Sequence, residues 1–151
     1  MSDTNDSAPV ILVTGGAGYV GSQVVRDLAS DPRLAGHVIR IYDNLQHHAL
    51  FGLMDLPGDG PAGGRFEFIE GDILDRVNLR RAMQGVVAVV HLAALVRTPL
   101  SFEHPGWTGQ VNHFGTAAVV ACALEVGVPR LVYASSAAVY GPGGPFDEDA
   151  A

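Results

Sequence analysis

The chain has 151 residues, 48% of them hydrophobic and 17% charged, with a formal net charge of −7. This composition excludes a disordered chain, and the length suits one core-bearing unit rather than two. All nine basic residues are arginines and there is no lysine, so the chain lacks the basic face that nucleic acid requires.

The single cysteine, Cys122, excludes an internal disulfide framework and lies in the apolar run AAVVACAL, where a small buried hydrophobe is expected. No apolar run reaches the ~18 residues of a membrane span. The N-terminal MSDTNDSAP lacks the basic and apolar regions of a secretion signal, so a cytoplasmic protein is expected.

In chain order, residues 1–8 read as a solvated tail and 9–151 as one folded unit. Val10-Ile11-Leu12-Val13 is a short run rich in β-branched residues that ends in glycines, as a buried parallel strand does. Val20, Val24, Val25 and Leu28 recur at helical spacing over 19–30, and Asp31-Pro32 stops that helix. A second strand covers 38–42, with Asp43 at its tip. Residues 46–65 read as a glycine- and proline-rich loop, with a short helix near 50–56.

A third strand covers 66–70, and Asp75 is placed to cap a helix running through Met83. The fourth strand is 86–92. A long helix is predicted over 105–126, closed by Gly127 and Pro129, and a fifth strand over 130–134. Alternation of short apolar strands with helices implies an α/β fold, with a parallel sheet covered on both faces.

The stretch Gly15-Gly16-Ala17-Gly18-Tyr19-Val20-Gly21 fits glycine spacings in two registers that share Gly18 and Gly21. It follows a predicted strand and opens a predicted helix. In that context missing side chains let a pyrophosphate approach main-chain N–H groups, and the helix dipole favours its charge. An acidic chain without lysine can hold an anion this way. No Gly-Lys-Ser/Thr follows, which excludes a P-loop. Asp43, 22 residues after Gly21, can accept hydrogen bonds from a ribose diol and would repel a 2′-phosphate, so NAD is expected over NADP. His47 and His48 are adjacent and lack partners at ligand spacing, so no metal is expected.

With Asp43-Asn44-Leu45, Gly71-Asp72-Ile73, His91-Leu92-Ala93-Ala94, Asn112-His113-Phe114-Gly115-Thr116 and Ser135-Ser136-Ala137-Ala138-Val139-Tyr140-Gly141, the glycine stretch forms an ordered set spanning nearly the whole chain. The set resembles the extended short-chain dehydrogenase/reductases, in particular the NAD-dependent epimerase/dehydratase group and its 4-epimerase branch. The resemblance implies a Rossmann-type doubly wound parallel sheet in the order 3-2-1-4-5.

It also implies NAD as cofactor and a nucleotide sugar as substrate. Gly15, Gly18, Tyr19 and Val20 would contact the pyrophosphate, and Asp43 and Asn44 the adenosine ribose. Asp72 and Ile73 would flank the adenine, while Leu92, Ala93 and Ala94 would run beside the cofactor. Asn112 would brace the site. Ser136 matches the catalytic serine or threonine, whose hydroxyl meets the sugar oxygen being oxidised. Family members pair through helices across a two-fold axis, which raises a homodimer through the 105–126 helix.

The family's base is the tyrosine of a Tyr-x-x-x-Lys motif. None of Tyr19, Tyr42, Tyr133 and Tyr140 is followed by a lysine, and by family spacing the motif would begin past Ala151. The chain is therefore expected to be the N-terminal portion of a larger enzyme, lacking the substrate domain and inactive alone, with its fifth strand an exposed edge. The alternative is a stand-alone, non-catalytic dinucleotide-binding or regulatory module. Dehydratases of this group carry Thr-Asp-Glu where this chain has Ser136-Ala137-Ala138, so elimination is less expected than epimerisation or simple redox chemistry.

Overall fold

The computed structural model describes residues 8–46, 53, 56, 65–96, 98–141 and 143. Its centre is β1 (Val10–Thr14), buried along its whole length, as its unbroken apolar sequence requires. β1 pairs in parallel with β2 (Val38–Asp43) on one side and β4 (Val86–His91) on the other. β3 (Arg65–Glu70) extends the sheet beyond β2, and β5 (Leu131–Tyr133) beyond β4, giving the order β3-β2-β1-β4-β5. This is the predicted doubly wound sheet.

The register sets Ile69, Tyr42, Thr14, His91 and Tyr133 in one row across the C-terminal ends of the strands. Every loop that leaves those ends therefore starts at the same level.

Alternate residues along β1 feed two cores. Val10 and Leu12 pack with Val38, Tyr42 and Val89 beneath α2 (Arg76–Ala82) and α5 (Thr116–Val126), which supply Leu79, Val119 and Cys122. Ile11 and Val13 pack with Ile39, Ile41 and Val25 of α1 (Tyr19–Ser30) on the opposite face. Leu53 and Leu56 also pack against this second core; the rest of the short helix expected near 50–56 lies outside the described residues, as do His47 and His48.

Asp75 caps α2 as its sequence position implies, its Oδ1 accepting from the N–H groups of Val77 at 3.1 Å and Asn78 at 3.2 Å. Gly127 ends α5 in the left-handed region at φ +75°. Among the described residues β5 forms an edge of the sheet, with Val132 63% exposed.

The helix expected over 105–126 forms without a break, but its middle is wound more widely than an α-helix. The chain forms α3 (Thr98–Glu103), α4 (Pro105–Gly109), a π-helical segment (Gln110–Gly115) and then α5. Pro105 forces the preceding His104 out of the helical region, to φ −133° and ψ 62°, which separates α3 from α4. The wide turn ends at Gly115, where a Cβ would stand 2.5 Å from Ile73 Cδ1. Gly115 thus packs closely on the Ile73 side chain of the loop after β3.

Candidate functional site

Loops leaving β1, β2, β3 and β4 border a cavity of 520 Å³ outside the strand ends. All the residues expected to contact a cofactor line it: Gly15, Gly18, Tyr19 and Val20 from the glycine turn, Asp43 and Asn44 after β2, Asp72 and Ile73 after β3, and Leu92, Ala93 and Ala94 after β4.

The glycine turn is shaped by close approach. Gly15 sits at φ +71°, and a Cβ there would stand 2.6 Å from the Ala93 nitrogen, so the turn and the 92–96 segment touch backbone to backbone. At Gly21 a Cβ would overlap the Gly15 carbonyl oxygen and lie 2.7 Å from Gly16 Cα. The helix therefore begins directly against the turn. The first intrahelical bond runs from Ser22 N–H to Gly18 O at 2.9 Å. No side chain caps this end and no acidic residue occupies its first turn. The positive end of the helix dipole and its leading amides are left to face the cavity.

Asp43 has a structural role that spacing does not reveal. Its Oδ2 accepts from Ala17 N–H at 3.0 Å, and its Oδ1 accepts from Leu45 N–H at 2.9 Å. The first bond ties the β2 tip to the glycine turn. The second holds Leu45 at φ +54°, a conformation a leucine rarely adopts. Each carboxylate oxygen keeps a further lone pair for a ligand hydroxyl.

Asn44 Nδ2 donates to Asp72 Oδ2 at 3.0 Å, and Leu74 N–H donates to Asp72 Oδ1 at 2.9 Å, so the loops after β2 and β3 form one wall. Behind it the Tyr42 hydroxyl donates to Asp72 O at 2.9 Å. Burial, with the nearby Asp75 and Asp72, pushes Tyr42 up to about 12, which keeps it a donor. A Cβ at Gly71 would strike the Tyr42 ring at 2.5 Å, so that glycine makes room for the tyrosine.

Residues 92–96 form the facing wall. Asn112 grips it from the π-helical segment: Oδ1 accepts from Leu95 N–H at 2.7 Å, and Nδ2 donates to Leu95 O at 2.9 Å. Beneath lies a polar group whose members are too far apart in the chain to be linked by spacing. His91, 1% exposed, meets Thr14 Oγ1 through Nδ1 at 2.7 Å and Thr116 Oγ1 through Nε2 at 3.0 Å. Burial pulls His91 down to about 4, so its ring is neutral at pH 7.

Ser136 stands apart from these residues. It lines a second cavity of 500 Å³ with His91, Thr108, Asn112, Thr116 and Tyr133. The two cavities share Val20 and residues 92–96. Ser136 Oγ accepts from Ala138 N–H at 3.2 Å at the start of a 3₁₀ turn, Ala137–Tyr140, which leaves its own proton available to a ligand oxygen.

Comparison with known proteins gives this geometry a context. A family model described as "NAD dependent epimerase/dehydratase family" matches residues 11–151. UDP-glucose 4-epimerase of Bos taurus is 37% identical over 141 residues, 89% of this chain and 39% of that protein. A UDP-glucose-4-epimerase structure from Stenotrophomonas maltophila, with bound NAD and formylated UDP-arabinopyranose, matches with a TM-score of 0.73 at 33% identity, over 89% of this chain and 38% of that one. The dTDP-glucose 4,6-dehydratase of Streptomyces venezuelae, with NAD and TYD bound, gives a TM-score of 0.77 at 33% identity, over 90% and 42%. This chain thus spans about two fifths of the length of each of these relatives.

Proposed function

The chain belongs to the NAD dependent epimerase/dehydratase family, and from that premise we propose that its groove is an NAD site and the cofactor half of a nucleotide-sugar epimerase. The observation that carries the reading is the glycine turn, where a Cβ at Gly15 or Gly21 would collide with backbone and the start of α1 has no cap. A pyrophosphate fits that cradle, bound by amides near Gly18, Tyr19 and Val20 rather than by lysine. Asp43 takes the adenosine ribose hydroxyls on its remaining lone pairs, and its charge opposes a 2′-phosphate. Asp72 and Ile73 flank the adenine. Leu92, Ala93 and Ala94 lead the rest of the dinucleotide toward the second cavity.

NAD, when bound, supplies a hydride acceptor for a sugar carbon. In that setting Ser136 donates its hydroxyl proton as a hydrogen bond to the sugar oxygen and holds it in place. A serine without a neighbouring base is a poor proton acceptor, and no Tyr-x-x-x-Lys occurs in these 151 residues. The proposal therefore includes that this chain alone turns over no UDP-sugar.

The alternative is a dinucleotide-binding module that regulates rather than catalyses, held by the same groove. The isolated chain is expected to bind NAD weakly, and both readings require NADP to bind more weakly still, by tenfold or more, measured calorimetrically; equal affinity for the two would remove the role given to Asp43. Turnover of a UDP-sugar by the purified chain would overturn its proposed inactivity.

A homodimer is a further part of the proposal. Phe114, Val120 and Leu124 are exposed along one helical stripe, with the small Ala117 and Ala121 between them, so a second copy could approach closely there. Light scattering should show a dimer that Leu124→Glu converts to a monomer; a monomeric parent chain would refute this part.

A further inference from the structure

His91 does not border the first cavity, yet it joins the strand that leads into the glycine turn to the segment that braces residues 92–96. Thr14 is the last residue of β1, immediately before the glycine turn, and it lies level with His91 in the sheet. The direction of each hydrogen bond around the ring can be worked out. Thr116 Oγ1 donates its single proton to Asn112 O at 2.7 Å. It can therefore only accept from His91, so Nε2 carries the hydrogen. Nδ1 is then bare and accepts the Thr14 hydroxyl proton. One ordered chain thus runs from β1 through His91 and Thr116 to the Asn112 carbonyl. The Asn112 side chain then grips both main-chain polar atoms of Leu95. The ring also stacks on Tyr133 of β5 at 5.6 Å, close to the strand end that leads to Ser136.

We propose that His91 is a positioning residue: as the neutral Nε2–H tautomer it links the strand behind the glycine turn to the helical turn that holds residues 92–96, and so sets the groove beyond the pyrophosphate. An apolar residue could fill this site without desolvating a polar ring, but it could not fix the directions of these bonds. The π-helical segment is part of the device, since Asn112 grips Leu95 from within it while Thr116, the next residue after it, accepts from His91. The inference rests on the NAD reading above, and it divides the ligand in two. The adenosine and pyrophosphate half depends on the glycine turn, Asp43 and Asp72. The remaining half depends on the wall that His91 and Thr116 support.

The test compares NAD with ADP on the intact chain by calorimetry. Thr116→Val removes the acceptor for the His91 N–H while keeping side-chain volume, and it should weaken NAD about three- to tenfold with ADP unchanged. Thr116→Ser restores the hydroxyl and should restore NAD affinity. The ring ¹⁵N shifts of His91 provide a second readout, one that needs no variant to fold: Nε2 should be protonated and Nδ1 bare at pH 7. If NAD and ADP weaken together, or neither weakens, the positioning role is wrong. A ring protonated at Nδ1 would also overturn it. If the parent chain binds neither ligand, the reading of the whole groove fails and this inference falls with it.

Discussion

Gly21→Ala is a sharp test of how the glycine turn works. The added methyl would overlap the Gly15 carbonyl oxygen and meet Gly16 Cα at 2.7 Å and Gly15 C at 2.9 Å. All three atoms are backbone, so no side-chain rotation relieves the clash; α1 and the turn must separate. Overpacking of this kind costs about 1–3 kcal/mol, while alanine in a helix returns about 1 kcal/mol relative to glycine. The net loss of stability is then about 0–2 kcal/mol, a fall in melting temperature of a few degrees for a chain of this size.

Binding should suffer more than stability, because the displaced amides are the proposed pyrophosphate ligands; about a tenfold or greater loss of NAD affinity is expected, equivalent to about 1.4 kcal/mol or more. Gly36→Ala is the control. It sits at φ +87° with nothing near its would-be Cβ, so it should lower stability by backbone strain and leave binding alone. Thermal melting and calorimetry on both variants decide the matter. A Gly21→Ala chain that binds NAD as tightly as the parent would refute the argument.

Three further outcomes can be checked in the same way. Asp43→Ala removes the acceptor for both Ala17 and Leu45 N–H groups together with the charge that opposes a 2′-phosphate. It should weaken NAD about tenfold and narrow the gap between NAD and NADP on calorimetric titration. His91, with its folded value lowered from 6.5 to about 4 by burial, stays neutral in the fold while the unfolded chain takes up a proton. Its contribution to stability is full above pH 6.5 and is lost as pH falls toward 4. The loss is on the order of 3 kcal/mol, and His91→Phe should flatten that part of a denaturation-versus-pH curve. Asp75→Ala deletes the cap of α2 and should cost about 1 kcal/mol, seen as a drop of about 2–4 °C in melting temperature with NAD affinity unchanged.

Much of this architecture can be read from the chain because it is written locally. β1 and β4 are short, nearly continuous apolar runs, β2 is one broken only by Arg40 before its Asp43 tip, and helix α1 falls over Tyr19–Ser30, where the apolar period and the Asp31-Pro32 stop place it. The residues lining the first cavity follow from glycine spacing, the acidic strand tip and the family pattern. What the sequence hides depends on contacts between distant residues. The π-helical winding of Gln110–Gly115 leaves no mark in the apolar period, and Ile73 meets Gly115 only once the loop after β3 is folded against it. The Thr14–His91 bond spans 77 residues and leaves no periodic trace. The sequence marks Asp43 only as a candidate for a ribose; its anchoring of Ala17 exists only once β1 and β2 lie side by side.

Backbone amide resonances followed during an NAD titration test the central claim most directly. Main-chain donors at the start of α1 should respond first and furthest, with Tyr19, Val20 and Gly21 shifting together and Gly36 and Gly127 staying still. Shifts confined to residues 134–136, or none in the glycine turn at saturating NAD, would contradict it.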